Sequence, residues 1–382
     1  MKVLYVSHET GLNGASKSLL EFVVKINDKD IQPIIIIPSK GKLRVEFNKL
    51  GIETRIIQYR QCVYRNKYRI NDYINYYREN LSAVRKIIQI IREENIALVH
   101  SNSLAVDVGA MAAYIARIPH VWHIREFLSE DFNLKFINPL MDKWLIRKSV
   151  CCIAISKGVK KKSKARYSIK PIHIYNGIDK KLYYFPVQEN QNLTKKIKLI
   201  IAGSISEGKG QWDAIRAVEI LLNKGIDVNL LIVGDGDPLF VNCLKRYIKQ
   251  KKMSQHIIFI PYTNNLQQLR LSSDMILVCS KMEAFGRVTA EAMIAGKIVI
   301  GASNGGTLEL IGGHEERGYL YTWNKPEELA EKIEYVLTHP EEVIDKEKRA
   351  QKFILGLTDL DAYTDKLKNI YYKILNTDKN RL

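Results

Sequence analysis

Short runs of aliphatic residues alternate with longer segments of helical periodicity along the whole chain. Most of these runs lack the apolar-polar alternation of a half-exposed strand, so they predict strands that are buried on both faces. Buried strands separated by helices indicate right-handed βαβ crossovers and parallel sheets. The predicted strands lie at residues 3–6, 34–37, 97–100, 120–123, 152–155, 172–175, 199–202, 230–233, 257–260, 275–278 and 298–300.

The length of 382 residues exceeds what one hydrophobic core usually serves, which is roughly 250–300 residues. A turn-type cluster, Asn176-Gly177-Ile178-Asp179, and the polar residues at 188–192 interrupt the strand and helix pattern near the middle of the chain. We therefore predict an α/β protein with two Rossmann-like, doubly wound parallel-sheet domains, residues 1–178 and 179–359. Such sheets bind ligands at the carboxyl ends of their strands, so we expect a cleft where the two domains face each other.

The last segment of the chain predicts an amphipathic helix over residues 361–375 that no strand follows. This helix has to bury its apolar stripe against a domain that is already folded. We assign residues 360–382 to the first domain, as a C-terminal helix that crosses back and packs on it. The stripe consists of Tyr363, Leu367, Ile370, Tyr371 and Ile374.

The charge is strongly positive and unevenly distributed. The formal net charge is +18, and residues 1–178 hold 30 basic and 15 acidic side chains, against 29 and 26 in the remainder. The first domain should therefore attract an anionic partner, and charge alone leaves open a membrane surface, a nucleic acid or a phosphorylated substrate. With 46% apolar and 26% charged residues, the composition is that of a globular protein and excludes a disordered chain.

Nothing in the sequence predicts export or membrane insertion, because the start of the chain turns polar too soon for a signal peptide and no apolar run approaches roughly 18 residues. The five cysteines lack the spacing of metal ligands, and two of them are adjacent, so we expect reduced thiols in a cytoplasmic protein. Two acidic triplets, 235–237 and 359–361, are interpreted as a tight turn and a helix cap. We expect no metal site.

The segment most informative about chemistry is 280–296, Ser-Lys-Met-Glu-Ala-Phe-Gly-Arg-Val-Thr-Ala-Glu-Ala-Met-Ile-Ala-Gly. It follows a predicted buried strand, and residues 288–295 predict a helix, so unpaired backbone amides at the helix start can bind an anion. Glu283 lies in the loop, and Glu291 lies about two turns into the helix. Taken alone, the pair is more typical of a solvated loop and helix surface than of a binding site.

In context, this Glu-x7-Glu segment resembles the signature of the retaining family-4 glycosyltransferases, which have the GT-B fold. The glycine-rich segment at 302–311 matches the one that follows the signature in that family. Further matches are 11–15 after the first strand, 176–179 at the linker and 232–236. The resemblance covers essentially the whole chain and is most specific in the C-terminal half.

The resemblance implies that the second domain binds a nucleoside-diphosphate sugar. Glu291 would hold the ribose hydroxyls, and Glu283 would contact the sugar ring. Lys209 would neutralise the diphosphate in a glycine-rich loop that starts at Gly203, as the physics of such loops also suggests. The remaining donor-binding residues implied by the family are Tyr262, Phe285, Gly286 and Arg287, the last three through their backbone amides. The family usually has an arginine where Ser204 stands, so Arg287 or another basic residue has to supply that charge, or one cation is absent.

In the first domain, the resemblance implies that Gly14 and Ala15 approach the donor, although a glycine pair after a strand is equally typical of a simple turn. His123 follows a predicted strand and is either a core residue or a group that faces the donor sugar. In the second role it would hydrogen-bond a hydroxyl or help the acceptor lose its proton, a task suited to an imidazole that titrates near neutral pH. The roles of Arg125 and Glu126 stay open, and His8 is a lesser candidate.

Aromatic and basic side chains are interleaved between residues 59 and 78, and a second basic run covers 157–166. Tyrosine with lysine or arginine suits the interface of an anionic membrane. A solvated helix with partly packed tyrosines fits equally well, and single-stranded nucleic acid could use the same residues. The first run contains Tyr59, Arg60, Tyr64, Arg65, Lys67, Tyr68, Arg69, Tyr73, Tyr76, Tyr77 and Arg78.

These observations together predict a hexosyltransferase-type enzyme that moves a sugar, with retention, from a nucleotide sugar to a hydroxyl of a growing bacterial surface glycan. Exopolysaccharide, capsule and O-antigen of lipopolysaccharide are the glycan types expected, on a lipid-linked acceptor. The enzyme would be cytoplasmic and peripheral on the inner face of the plasma membrane, with no cofactor, no metal and no nucleic-acid partner. The alternatives are a sugar-nucleotide epimerase of the same architecture and a non-catalytic basic protein that binds membrane or nucleic acid beside a degenerate donor site.

Overall fold

The computed structural model describes residues 1–27, 30–65, 69–188 and 196–379. The chain divides into two compact units, Met1–Ile178 together with the residues from Asp359 onward, and Asp179–Thr358. Each unit holds a parallel sheet flanked by helices, which is the predicted α/β class. The polar stretch at 188–192 that was assigned to a linker lies outside the described residues from 189 onward.

All eleven runs predicted as strands overlap strands of the structure. Four strands were not predicted: β3 is polar and lies at a sheet edge, and β4, β7 and β15 have only two or three residues. The strands are β1 Lys2–Val6, β2 Gln32–Ile37, β3 Glu53–Ile56, β4 Val63–Tyr64, β5 Ile96–Ser101, β6 His120–Ile124, β7 Lys135–Phe136, β8 Cys151–Ala154, β9 Ile172–His173, β10 Ile197–Ala202, β11 Val228–Val233, β12 Ile257–Ile260, β13 Met275–Val278, β14 Val299–Ala302 and β15 Tyr319–Tyr321.

Helices connect almost all of these strands, as the crossover rule requires. The helices are α1 Gly14–Ile26, α2 Lys42–Lys49, α3 Ile70–Glu93, α4 Val108–Ala116, α5 Ser129–Phe132, α6 Pro139–Lys148, α7 Lys157–Tyr167, α8 Gln211–Asn223, α9 Pro238–Gln250, α10 Leu266–Leu271, α11 Arg287–Ile294, α12 Gly305–Ile311, α13 Pro326–Thr338, α14 Pro340–Leu357 and α15 Leu360–Lys379.

The first unit is built on a seven-stranded sheet in the order β3-β2-β1-β5-β6-β8-β9, in which every neighbouring pair is parallel. β1 lies at its centre, and its side chains alternate between two cores. Val3 and Tyr5 pack in the core beneath α1, whereas Leu4 and Val6 pack in the opposite core with residues of α3 and α4. This double burial explains why the strand has no polar alternation.

The C-terminal helix α15 belongs to the first unit and packs against α1. Of its predicted apolar stripe, Tyr363, Leu367, Tyr371 and Ile374 are buried in the same core as Val3 and Tyr5. The helix begins after Asp359, whose Oδ1 accepts a hydrogen bond from the backbone amide of Ala362 at 2.8 Å, as expected of a cap.

The second unit has a six-stranded parallel sheet in the order β12-β11-β10-β13-β14-β15. The chain runs from β10 outward to β12 and then returns to the other side of β10 with β13. The strand order therefore reverses between β10 and β13, and an open sheet has its ligand-binding crevice at the carboxyl ends of such a pair.

Candidate active site

The loops that follow β10 and β13 meet beside this reversal point. Lys209 lies in a short 3₁₀ turn, Glu207–Lys209, after β10, and Glu283 lies in the loop between β13 and α11. Their Nζ and Oε1 atoms are 2.6 Å apart, and the two side chains are 29% and 15% exposed. The structure thus brings together two predicted site residues that are 74 positions apart in the sequence.

Glu283 is ionised in this arrangement. Burial by itself would favour the neutral carboxyl, but the adjacent Lys209 ammonium, with a hydrogen bond from Ser280, holds the pKa of Glu283 below its usual range. The pair is therefore an ammonium and a carboxylate in partial contact with solvent. Such a pair can separate when a ligand brings its own negative charge to Lys209.

Backbone contacts between the two loops place Lys209. Gly210 has a positive φ of 69°, and a Cβ atom there would lie 2.0 Å from the carbonyl oxygen of Cys279. The amide of Lys281 donates a hydrogen bond to the carbonyl of Gly208 at 2.8 Å. Only glycine satisfies both the conformation and the close approach at position 210, which explains the glycine that follows Lys209.

The loop after β14 supports Glu283 from another side. The amide of Gly306 donates a hydrogen bond to the carbonyl of Glu283 at 2.6 Å. A Cβ atom on Gly306 would lie 2.2 Å from the carbonyl carbon of Phe285, so the two backbones touch. Gly286, with φ of 84°, then starts α11, whose first-turn amides have no partner within the helix. The predicted helix over 288–295 is found one residue earlier, at Arg287–Ile294.

Glu291 is held by two arginines. Its Oε2 atom lies 2.9 Å from Nη2 of Arg270, and its Oε1 atom lies 2.8 Å from Nε of Arg287. Nη2 of Arg287 also donates to the hydroxyl of Tyr183 at 3.3 Å, and both guanidinium groups lie 5.9 Å from the centre of the Tyr183 ring. The two guanidinium groups therefore fix the orientation of the carboxylate.

The remaining predicted donor residues occupy the neighbouring loops. Gly203 directly follows β10 with φ of 141°, and the adjacent Ser204 is exposed. Tyr262 follows β12, is 43% exposed, and its amide donates to Oδ1 of Asp235 at 3.2 Å. Phe285 is buried. The guanidinium of Arg287 contacts Glu291 and Tyr183. The cation in the loop that contains Ser204 is Lys209.

The acidic triplet at 235–237 serves the fold, as predicted. Asp235 accepts the amide of Tyr262, and Oδ1 of Asp237 accepts the amides of Leu239 and Phe240 at 2.9 and 3.1 Å at the start of α9. A carboxylate that caps a helix satisfies backbone donors that would otherwise have no partner.

In the first unit, Gly14 and Ala15 form the first residues of α1, where Gly14 is exposed. The carboxylate of Glu9 lies over this helix start, accepting hydrogen bonds from Asn13 Nδ2 at 2.6 Å and Ser16 Oγ at 3.1 Å. His8 precedes it, and burial lowers the pKa of its imidazole.

His123 lies near the end of β6 and is completely buried. Its Nδ1 atom is 3.4 Å from Nη2 of Arg125, and its Nε2 atom has no hydrogen-bond partner within the described part of the chain. Burial, followed by the charge of Arg125, places the pKa of His123 well below its usual value. The expectation of an imidazole that titrates near neutral pH is thus wrong for this site: His123 is neutral, with one unsatisfied ring nitrogen.

Arg125 and Glu126 have separate partners. Arg125 donates from Nε to Asn102 at 2.7 Å and from Nη1 to Asn176 at 2.8 Å. These two bonds hold its guanidinium group next to the His123 ring, with Nη2 at 3.4 Å from Nδ1. Glu126 accepts hydrogen bonds from the hydroxyl of Ser103 and the amide of Leu104, and burial raises its pKa to about 8. Of the possibilities left open, the structure favours support of His123 by Arg125.

Three features of these sites have no counterpart in the sequence analysis. Arg270 on α10 is 2% exposed, yet its sequence context resembles any surface helix. Asn176, which was interpreted only as a turn residue, binds Arg125. Tyr371 on α15 binds Nδ1 of His100 at 2.6 Å, and the His100 ring lies 5.3 Å from that of His123. Only the position of His100 near a strand end hinted at a polar role.

The aromatic and basic run between residues 59 and 78 contains both buried and exposed side chains. Tyr59 and Tyr76 are buried, and their hydroxyls donate to the carbonyl of Ser7 and to Asp107, so neither is available for a membrane or a nucleic acid. Tyr77 and Arg78 are exposed. Lys67 and Tyr68 lie outside the described residues. Within the described ranges, no helix combines the length and the apolar character needed to cross a bilayer.

Comparison with known proteins adds two family matches. Residues 12–182 match the family described as Glycosyltransferase Family 4, and residues 186–353 match the family described as Glycosyl transferases group 1. Among curated proteins, the chain is 23% identical to N-acetyl-alpha-D-glucosaminyl L-malate synthase of Bacillus anthracis, over 88% of this chain and 91% of that one. It is 24% identical to the capsular polysaccharide biosynthesis glycosyltransferase CapM of Staphylococcus aureus, over 68% and 72%.

Solved structures with the same fold include HepE of Anabaena in complex with UDP, with a TM-score of 0.82, 23% identity, and coverage of 98% of this chain and 100% of that one. The S. aureus protein TarM, crystallised as a G117R mutant with fondaparinux, alpha-GlcNAc-glycerol and UDP, has a TM-score of 0.74 at 13% identity and coverage of 97% and 99%. At these identities, the similarity to the solved structures concerns the fold alone.

Proposed function

The chain belongs to the family-4 glycosyltransferases and has the GT-B fold, and from this premise we propose that it transfers a sugar, with retention, from a nucleoside-diphosphate sugar to a hydroxyl of a growing lipid-linked glycan. The observation that carries the proposal is the Lys209–Glu283 pair at the reversal point of the second sheet, next to the start of α11. It combines a cation and the amides of a helix start for a diphosphate with a carboxylate for sugar hydroxyls.

Each residue then has a definite task. Lys209 and the first-turn amides of α11 stabilise the diphosphate, and Glu283, released from Lys209, accepts hydrogen bonds from the sugar. Glu291, which Arg270 and Arg287 hold in place, accepts hydrogen bonds from the ribose hydroxyls. Gly203 and Tyr262 border the nucleotide. No metal or cofactor is required by this arrangement, because Lys209 and the helix amides supply the positive charge that the leaving group needs.

The transfer step balances without a further reactant. The bond between the anomeric carbon and the β-phosphate oxygen breaks, and its electron pair leaves with the nucleoside diphosphate. The acceptor oxygen forms its bond to the anomeric carbon on the same face, and its proton goes to the departing phosphate. The protein contributes mainly electrostatic stabilisation of the diphosphate and orientation of the two substrates.

His123 is proposed to contact a hydroxyl of the sugar or of the acceptor. Its buried Nε2 atom lacks a partner among the described residues, and an unsatisfied buried polar atom costs about 1–3 kcal/mol, which a substrate hydroxyl would recover. Gly14 and Ala15, at the exposed start of α1, are proposed to approach the donor in the same way.

A lipid-linked acceptor would bring the enzyme to the inner face of the plasma membrane, and one surface of the first unit supports this. Ile70, Ile74, Tyr77 and Leu81 recur every three or four residues along α3, and all are exposed. Asn138, just before α6, donates to the hydroxyl of Tyr77 at 3.1 Å, which joins the α3 stripe to α6.

The apolar surface continues over two further helices. Leu140 on α6 is 84% exposed, and the exposed ring of Trp144 packs at 4.7 Å against that of Tyr114 on α4. Lys148 lies 6.0 Å from the Trp144 ring. An aromatic and aliphatic surface bordered by cations matches the head-group region of an anionic bilayer. The exposed basic helix α7 adds to the positive field.

The test is a donor screen with a panel of UDP-, GDP- and ADP-sugars, with and without EDTA, in which thermal shift and slow donor hydrolysis are measured. We expect one donor to stabilise the protein, EDTA to have no effect, and Glu291→Ala to abolish the shift. Lys224→Ala serves as a matched control, because Lys224 forms an exposed ion pair with Glu334 in the same unit. Binding of no donor by the folded wild-type protein would refute the proposal.

Product analysis then separates the rival functions. Transfer to a glycan or lipid-linked acceptor supports the proposal, whereas a changed sugar nucleotide without an acceptor identifies an epimerase. If no nucleotide sugar binds but anionic vesicles or RNA do, the donor site is degenerate, and Ser204 is the residue to examine first.

A further inference from the structure

A buried cluster in the first unit has no part in the proposed transfer reaction. Cys62, Asp107 and Asp142 are all fully buried. One ligand-type atom from each, the thiol sulfur and two carboxylate oxygens, lies within 4.8 Å of the others. The three residues are far apart in sequence, so only the tertiary structure reveals the cluster.

Three segments of the chain meet at this point. The amide of Cys62, just before β4, donates to the carbonyl of Ala105 at 3.0 Å, and its carbonyl accepts the amide of Ile137 at 2.8 Å. These bonds tie the β4 segment to the loop before α4, where Asp107 lies, and to the segment that leads into α6, whose first turn contains Asp142. The Sγ atom is also 3.2 Å from the carbonyl oxygen of Leu104.

The hydrogen bonds of the two aspartates differ. Asp107 accepts hydrogen bonds from the hydroxyl of Tyr76 and from Nδ2 of Asn80 at 3.2 Å. By contrast, neither carboxylate oxygen of Asp142 has a partner at normal hydrogen-bond distance and angle in the described part of the chain, and the donors that approach this carboxyl are the Cys62 thiol and the Asn138 backbone. A fully buried carboxyl group without a well-formed hydrogen bond is unusual, because an unsatisfied polar atom loses its hydration without full compensation.

The cluster also lacks a balancing charge from the protein. None of the ion pairs formed by the described residues includes Asp107 or Asp142. Uncompensated charge in a protein interior costs several kcal/mol per ion, so the cluster must hold either protons or a cation. A cation accounts for both observations, because it neutralises the carboxylates and occupies the oxygens of Asp142.

We propose that Cys62, Asp107 and Asp142 bind one divalent ion of the zinc type, which fastens the β4 segment to the starts of α4 and α6. A thiolate with two carboxylates favours zinc over magnesium or calcium, which prefer oxygen ligands alone. The ion is structural, buried away from solvent, and separate from the donor site in the second unit.

Metal content is the direct measurement. The untagged protein is expressed with zinc in the medium, purified without chelators, and analysed by inductively coupled plasma mass spectrometry. We expect about one zinc per chain in the wild type and below about a tenth of that in Cys62→Ser and Asp142→Asn, because loss of a ligand from a structural site abolishes stable binding. Cys151→Ser is the matched control, since Cys151 is also buried in the first unit, in β8. It should retain the zinc.

Cobalt gives a second readout that does not depend on activity. The wild-type chain is unfolded, stripped with EDTA and refolded with Co²⁺ alone, and the near-ultraviolet absorption of a cobalt–thiolate bond is recorded. The band should appear in the wild type and in Cys151→Ser and be absent in Cys62→Ser. If both ligand variants fail to fold, the zinc content and the cobalt band of the wild type decide the matter.

A folded wild-type protein without metal, which also gives no cobalt band, would overturn the proposal. So would a metal-free Asp142→Asn variant as stable as the wild type, since the cluster would then hold a shared proton. Neither result bears on donor binding, which is measured separately.

Discussion

Replacing Lys209 by methionine removes one positive charge from the candidate donor site while keeping an unbranched apolar side chain that is one atom shorter. In the absence of substrate, the change breaks the 2.6 Å pair with Glu283 and leaves a mostly buried carboxylate without its cation. Hydrogen bonds to charged groups contribute about 1.5–3 kcal/mol, so we expect the unfolding free energy to fall by about 2 kcal/mol. For a unit of this size, that corresponds to a decrease in melting temperature of roughly 4–8 °C.

The effect on turnover should be much larger. A unit charge about 4 Å from the charge that develops on the leaving diphosphate is worth roughly 4 kcal/mol at an effective dielectric constant of 20. Since each 1.36 kcal/mol is a factor of ten in rate, kcat should fall by about 10³. The difference between a small loss of stability and a large loss of rate distinguishes catalysis from support of the fold.

The assay measures kcat and KM with the donor identified by the screen, alongside thermal unfolding of the same preparations. Lys224→Met is the matched control, because its pair with Glu334 is exposed and should contribute less than about 1 kcal/mol. A double variant with Glu283→Gln should be more stable than the sum of the two single changes predicts, since the single changes remove the same interaction. A folded Lys209→Met protein with wild-type kcat would refute the reasoning, whatever its stability.

The other predictions concern neighbouring groups. Glu283→Gln should reduce turnover by at least tenfold and lower the melting temperature by no more than Lys209→Met does, since both changes remove the same ion pair, and wild-type turnover would remove Glu283 from the site. Gly306→Ala should reduce both stability and activity, because its Cβ atom would meet the carbonyl carbon of Phe285 at 2.2 Å; an unchanged melting temperature would show that the loop can yield. His123→Asn should weaken the dependence of stability on pH. The folded pKa of His123 is lowered, so its contribution to stability is present above the unfolded pKa of about 6.5 and is lost as the pH falls below it, by up to about 1.4 kcal/mol per pH unit. Denaturant unfolding at pH 7.5 and 5.5 measures the change in unfolding free energy between the two pH values. An equal change for the wild type and His123→Asn would contradict the prediction.

Much of the fold could be predicted from the sequence because its strands are buried on both faces. A doubly buried strand needs consecutive apolar residues, and such runs, as at 34–37 and 275–278, are visible without any knowledge of their neighbours. Strands that depend on context were missed. β3 is polar because it lies at a sheet edge, and β4 and β7 exist only because they pair with each other.

The candidate site divides in the same way. The spacing of Glu283 and Glu291, the glycines around Lys209, and the start of α11 are local features, because a strand, a tight loop and a helix start are formed by adjacent residues. The protonation state of each group depends on residues that are distant in the sequence or on burial. Glu283 is ionised because Lys209 lies beside it, and His123 is neutral because burial and Arg125 oppose its protonation.

What the sequence determined by itself is therefore the order of strands and helices, the loops in which the chemistry lies, and the positive charge of the first half. Tertiary structure alone decided that Arg270 fixes Glu291, that Tyr371 binds His100, and that Cys62 meets Asp107 and Asp142. The physical reason is that hydrogen bonds, ion pairs and metal ligands depend on distances of a few ångström between atoms. Residue spacing along the chain sets those distances within one helix or loop, but between segments only the packing of the folded chain does so.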